Sequence, residues 1–369
     1  MKSYTFITIL LAIFFGIMAG LAGQIIGQYY FSHDLAGFSL SREFDLLEGR
    51  SNLIIRDPRK VVVSKDAKIE ETKELIDRSF FKLFNLSSES DDYIVLDDYS
   101  ALAMAVSSDG WLMAFLPPHL INYSQDEMLD NFKIVSSDRQ IYSPTELHLF
   151  SKNDLNILFL KMKDLDNVNV LDVSKGSQLQ SAQSLLTYKS ENQLSLASLI
   201  DLGFSEHIFT SDSFNRNLSV NTQDDFSTDS FVFDLSGDFV GFLDSQGDFH
   251  DSSAIEMYWR SFLRDKEIKE PFLGIHYLNL SYIKFLENNY SRGAMIYGNQ
   301  EFPAFIEDSP AAEAGLIESD VIVEIDGLPL NKDLDLADYI LSLNPGDEIL
   351  LDYYRQGEKD QVSIILQAK

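Results

Sequence analysis

The side chains that could do chemistry in this 369-residue chain are few and scattered. Its six histidines, His33, His119, His148, His207, His250 and His276, stand singly, so a zinc site has no support in the sequence, and no cofactor is expected. There is no cysteine, which excludes disulfides and thiolate metal sites and fits either a reducing compartment or an exported protein that avoids thiols. The turn Asp244-Ser245-Gln246-Gly247-Asp248 is acidic but lacks the ligand spacing of an EF-hand loop, and reads as a solvated turn. His119 follows Pro117-Pro118 and reads as a loop histidine. The net charge of −29 argues against nucleic acid, which needs clustered Lys and Arg, and against docking on an anionic lipid surface.

With 45% hydrophobic residues, the chain can build two or three globular domains. At its start, Tyr4 to Ile26 carries no charge, is long enough to cross a bilayer as one helix and follows Lys2. The expectation is an uncleaved anchor with a cytoplasmic N-terminus and the bulk of the chain outside. Ala19 to Gly23 leaves signal-peptide cleavage as the competing reading. Residues 28–66 read as a stalk. Ala67 to Phe84 reads as a helix running into a strand. From Tyr93 onward come short strands at close spacing: Ala101–Val106, Trp111–Phe115, Leu147–Phe150, Ile157–Met162, Ser184–Tyr188, Phe209, Phe231–Phe233 and Phe239–Leu243. Ser252 to Lys266 reads as a helix.

The most legible stretch is Pro303 to Leu330. It opens as a strand. Ser309 then caps a short helix with Pro310 at its first position, and Gly315 stops it. Val321 to Ile325 alternates as a half-buried strand and ends in an Asp326-Gly327 turn. Asp333 to Leu343 reads as a helix with Leu336, Ile340 and Leu343 on one face, and Glu348–Tyr354 and Val362–Gln367 as strands.

The run Ser-Pro-Ala-Ala-x-x-Ala-Gly-Leu followed by Asp-Val-Ile-x-x-Ile-x-Gly resembles the PDZ domain of bacterial HtrA-type (Deg) proteases. The resemblance covers Pro271 to about Gln367 and implies a groove between a strand and a helix that takes up extended peptides or free C-termini. Binding there is strand addition, with backbone N–H groups receiving the terminal carboxylate. It places the carboxylate loop and first groove strand at Phe272, Leu273, Gly274 and Ile275, with Leu336 and Ile340 from the helix.

Upstream, three stretches resemble the trypsin-like domain of the same family, and each lacks the residue that does the chemistry. After Ser107-x-Asp109-Gly110-Trp111, the position of the catalytic His holds Pro117. Leu155-Asn156-Ile157-Leu158 resembles the strand carrying the orienting Asp, and Asn156 stands there. Counting back from Phe231, the nucleophile position falls on Thr228, flanked by Phe226, Asp229 and Ser230 where the family has glycines. Proline cannot accept the nucleophile's proton, and asparagine holds a histidine tautomer poorly. Glycines permit the oxyanion-hole backbone, and Asp229 would add negative charge beside it. A displaced set of His119, Asp154 and Ser227 would be off register, and a one-residue slip turns a strand side chain to the other face.

The expected fold is mainly β: a trypsin-like double β-barrel (67–268) followed by a C-terminal α/β PDZ domain (269–369), with one N-terminal transmembrane helix (1–27). The expected function is that of an envelope pseudoprotease that binds peptides or C-termini of envelope proteins, with a homo-oligomer or an active HtrA relative as further partners. The alternatives are an active serine endopeptidase with a divergent site and a purely structural surface protein whose PDZ groove is closed.

Overall fold

The structure, a computed structural model, describes residues 65–86, 93–163, 165, 168–174, 179–190, 193–204, 206–222, 229–284 and 291–369. The apolar run at 4–26, the stalk as far as residue 64, and Phe226, Ser227 and Thr228 lie outside the described residues. Among the described residues no helix is long and apolar enough to cross a membrane. All of them belong to one unit by their contacts, Val63–Lys369.

Helix α1 (Lys65–Asp77) leads into the first barrel-like sheet. Its seven strands are β1 (Phe80–Asn85), β2 (Ala101–Ala105), β3 (Trp111–Phe115), β4 (Phe132–Ser136), β5 (Ile141–Tyr142), β6 (Pro144–Lys152) and β7 (Leu155–Met162), all antiparallel in the order β5-β4-β1-β2-β3-β7-β6. A short helix, α2 (Gln125–Asn131), enters β4 and starts with a Ser124/Glu127 capping box. Strands β2 and β3 are buried along their whole length, so their sequences are continuously apolar. Their side chains still alternate. Leu102, Met104, Trp111, Met113 and Phe115 face one core, and Ala101, Ala103, Ala105, Leu112 and Ala114 face another.

The second sheet holds β8 (Ser184–Ser190), β9 (Gln193–Phe204), β11 (Arg216–Thr222), β12 (Ser230–Asp234), β13 (Phe239–Leu243) and β14 (Phe249–Asp251), in the order β11-β9-β8-β12-β13-β14. The strand expected around Phe209 exists as β10 (Phe209–Thr210) but leaves this sheet for the third. Helix α3 (Ser252–Asp265) is capped by Asp251, whose side chain accepts from Ser253 N at 2.7 Å, and ends at Lys266 with φ 58°. Its Ile255, Tyr258 and Phe262 are buried in the aromatic core formed with strands of both sheets.

The third sheet holds β10 with β16 (His276–Asn279), β17 (Ala294–Ile296), β18 (Val321–Ile325), β19 (Leu328–Pro329), β20 (Glu348–Arg355) and β21 (Glu358–Ile365). Its order is β10-β16-β17-β18-β20-β21, with β19 on β18. A separate pair joins β15 (Pro271–Phe272) to β22 (Gln367–Ala368). Helices α4 (Pro310–Glu313) and α5 (Leu336–Leu341) complete this region. Ser309 accepts from Ala312 N at 3.2 Å, so the cap read from the sequence is present.

Two expectations need correction. The strand expected from Pro303 reduces to a single bridge between Ile275 and Phe305. The helix expected over 333–343 is shorter, because Asn331 accepts from the N–H groups of Asp333 and Leu334 while Asp335 caps the helix through Ala337 N.

One ion pair, with its carboxylate buried and its guanidinium partly exposed, ties the residue before β18 to β20. Arg355 donates Nε and Nη2 to Asp320 at 2.9 and 2.7 Å, and Asp320 is 1% exposed. Asp320→Ala is expected to cost about 1–3 kcal/mol in urea denaturation, because hydrogen bonds to a charged group are lost together. A loss indistinguishable from zero would mean that the pair only balances its own desolvation.

Candidate functional site

Two places attract attention: a cleft beside both barrel-like sheets, and the edge of the third sheet. Pairing of Phe115 with Ile157 in the β3–β7 ladder brings the end of β3 next to the start of β7. Pro117 and Asn156 therefore line one cavity of about 570 Å³, together with His119, Asp154, Asp229 and Phe231. Two of the three positions at which the sequence comparison expects a degenerate catalytic residue thus line one cavity, and the third, Thr228, lies outside the described residues.

Asn156 is held by its neighbours. Its Oδ1 accepts from Ser151 Oγ at 2.9 Å, and its Nδ2 donates to Leu116 O at 3.5 Å. His119 and Asp154 are exposed and no hydrogen bond joins them, and Asp154 sits in the hairpin turn with φ 63°. Burial pushes the Asp229 carboxyl up, and nearby Asp244 adds to this. The Asp244 turn uses its own carboxylate: Oδ1 accepts from Gln246 N and Asp248 N at 2.9 Å each, and Oδ2 meets His250 Nε2 at 3.1 Å.

The third sheet positions the residues expected to form the peptide groove. The Leu273-Gly274-Ile275 backbone turns between β15 and β16. Gly274 has φ +80°, and an added Cβ would lie 2.8 Å from Ser309 Cβ, so only glycine fits. Ser309 Oγ braces the loop by donating to Leu273 O at 3.0 Å. Across from it, the Asp335 carboxylate accepts from the Tyr277 hydroxyl and, at 2.5 Å, from Asn279 Nδ2, fixing α5 against β16.

Leu273, Ile275, Leu336 and Ile340 do come together, but all are buried in one core cluster that also contains Phe209. The loop's donors are engaged. Leu273 N and Gly274 N donate to Asp212 Oδ1 at 2.9 and 3.1 Å, and Ile275 N donates to Ser211 Oγ at 3.1 Å. Phe272 is buried, in β15. Asp212 and Ser211 were not singled out from the sequence. A two-residue strand carries no periodic signal, and its partners lie more than sixty residues away.

Beside the groove, Arg216 of β11 pairs with Asp338 of α5. Burial pushes Asp338 up to about 7 although Arg216 pulls the other way, and Asp335 and Asp251 add to the rise. An unfolded aspartate titrates near 3.9, so the folded state holds this proton more tightly. Stability should therefore fall as pH rises from about 4 to about 7 through this group, since the unfolded chain releases the proton first. Asp338→Asn should flatten that part of the stability–pH curve. An unchanged slope between pH 5 and 7 would refute the assignment.

Residues 272–366 match the PDZ domain family. Two curated relatives, from Pseudomonas fulva and Bartonella henselae, are both described as probable periplasmic serine endoproteases, DegP-like. They are 36% and 33% identical over 59 and 57 residues, covering 16% and 15% of this chain. The aligned stretch spans only 12% and 11% of those relatives. Among solved structures, the HtrA-type protease AlgW with a decapeptide is similar at 13% identity and TM-score 0.43, over 82% of this chain and 98% of that one. The serine endoprotease from Yersinia pestis is similar at 15% identity and TM-score 0.39, also over 82% and 98%. The C-terminal region is thus a PDZ domain. The likeness to the DegP-like relatives is confined to a short stretch, about one eighth of their length.

Proposed function

We propose that this protein is a membrane-anchored, extracytoplasmic HtrA-like pseudoprotease that recognises extended peptides or protein C-termini through its PDZ domain. It acts as an adaptor or scaffold in envelope protein quality control. The observation that carries the pseudoprotease reading is that Pro117 and Asn156 line the same cleft. At the positions that the resemblance gives to the general base and its orienting carboxylate, neither side chain can accept a proton at neutral pH. The strand-edge loop around Gly274, with α5 facing β16, supports peptide recognition. The apolar run at 4–26 behind Lys2 supports the anchor and its orientation.

Incubation of the purified region after Gln28 with casein tests the first part, run beside the Ser227→Ala, Thr228→Ala double variant. No turnover in either is expected, nor labelling by a serine-directed fluorophosphonate. Turnover lost in the variant would instead establish an active endopeptidase with a relocated base.

A further inference from the structure

The segment from Phe209 to Asp212 reproduces, contact by contact, what a peptide ligand does on a sheet edge. It adds to β16 antiparallel, pairing Phe209 with Tyr277 and Thr210 with His276. The ladder closes where Ser211 N donates to Ile275 O at 3.0 Å. One residue further, the Asp212 carboxylate takes the N–H groups of Leu273 and Gly274. A side-chain carboxylate thus stands where strand addition would put the carboxylate of a free chain end. Phe209, 4% exposed, lies in the core cluster of Leu336 and Ile340 and meets the Tyr277 ring edge-on at 5.7 Å.

The seat is imperfect. The second oxygen, Asp212 Oδ2, is buried without a hydrogen-bond partner, and the third loop donor, Ile275 N, goes to a hydroxyl instead. A terminal carboxylate starts one residue earlier in the backbone, so its two oxygens can share all three N–H groups. A buried acceptor left unpaired is costly, so a genuine C-terminus has an advantage over Asp212 at this loop.

We propose that residues 209–212 are a built-in ligand of the PDZ groove. The external partner that displaces them is a free C-terminus, and the peptide that mimics the segment ends at Ser211, the last residue whose backbone pairs with the strand. This rests on the peptide-recognition reading above, and it adds the competitor that such a C-terminus must displace. Apparent affinity in the intact protein is lowered by the fraction of time that the segment is seated.

The test uses the intact chain, the peptide acetyl-His-Ile-Phe-Thr-Ser with a free carboxylate, its amidated form as control, and NMR-detected hydrogen exchange. In Asp212→Ala, the Leu273 and Gly274 amides should exchange at least about tenfold faster, while Leu351 in the core of β20 stays protected. The free-acid peptide should bind this variant about tenfold tighter than wild type, and the amide should bind neither. Unchanged exchange at Leu273 and Gly274 would overturn the built-in ligand. Equal peptide affinity in both proteins would also overturn it while leaving peptide recognition standing. Faster exchange with no peptide binding to either protein would overturn the external partner, and with it the peptide-recognition reading. Should Asp212→Ala fail to fold, the wild type alone decides. Saturating free-acid peptide must accelerate exchange at the Ser211 amide, and an unchanged rate refutes displacement.

Discussion

Phe262→Ala is expected to lower the stability of the protein by about 3–5 kcal/mol, the cost of removing a fully buried aromatic ring from a core that relaxes only partly. Phe262 is 0% exposed on α3 and is stacked on Phe159 of β7 with ring centroids 3.9 Å apart and planes 7° apart. It meets Trp111 of β3 edge-on at 4.9 Å, and Lys266 Nζ lies 4.8 Å from its ring centroid. The same helix reaches the PDZ domain, where Arg260 Nη2 donates to Leu341 O at 2.7 Å and Leu343 O at 3.3 Å. Truncation therefore loosens the helix that links the first sheet to the PDZ domain. Urea denaturation followed by tryptophan fluorescence measures the loss directly, because Trp111 touches the removed ring. A loss below about 1 kcal/mol would mean that the site collapses around the change.

Gly274→Val should cost about 2–5 kcal/mol, adding the penalty of a left-handed backbone to that of overpacking. The added Cβ would fall 2.8 Å from Ser309 Cβ and 2.9 Å from Ser309 Cα, in the loop that presents Leu273 N and Gly274 N. Gly315 provides the control. It has φ +87°, but an added Cβ there meets nothing within 4 Å. Gly315→Ala should cost only the backbone part, about 1–2 kcal/mol. Comparing Gly274→Ala with Gly315→Ala in urea isolates the crowding, and equal losses would show that Ser309 yields freely.

Local chemistry was legible wherever a residue acts on its sequence neighbours. Ser309, Pro310 and Gly315 announced α4 because a cap, a fixed φ and a stop signal all act within a few residues. Trp111–Phe115 and Phe239–Leu243 were read with their observed bounds, since buried strands leave continuous apolar runs. The long strand Gln193–Phe204 was missed. Leu196 and Ile200 are exposed on it, so its apolar residues do not mark one buried face. The same limit applies to the candidate site. Pro117 and Asn156 could be placed by the pattern of the flanking strands, and the Gly274 loop by its neighbours. The occupancy of that loop by Ser211 and Asp212 depends on a tertiary approach that leaves no local trace.

The arrangement of the third sheet also bears on how copies of this protein behave when crowded. A bare strand edge is a template on which another chain can grow, and this sheet has two flanks. On one side lies β10, only two residues long. On the other lies β21, whose Glu358, Lys359, Asp360 and Gln361 are all exposed. Brevity guards one flank and charge the other, so neither presents a long, flat apolar edge to a neighbour. If β10 left its place, β16 would become a flank of a different kind. Its Tyr277 and Leu278 would lie at an open edge, and edge-to-edge association between copies would then compete with re-docking.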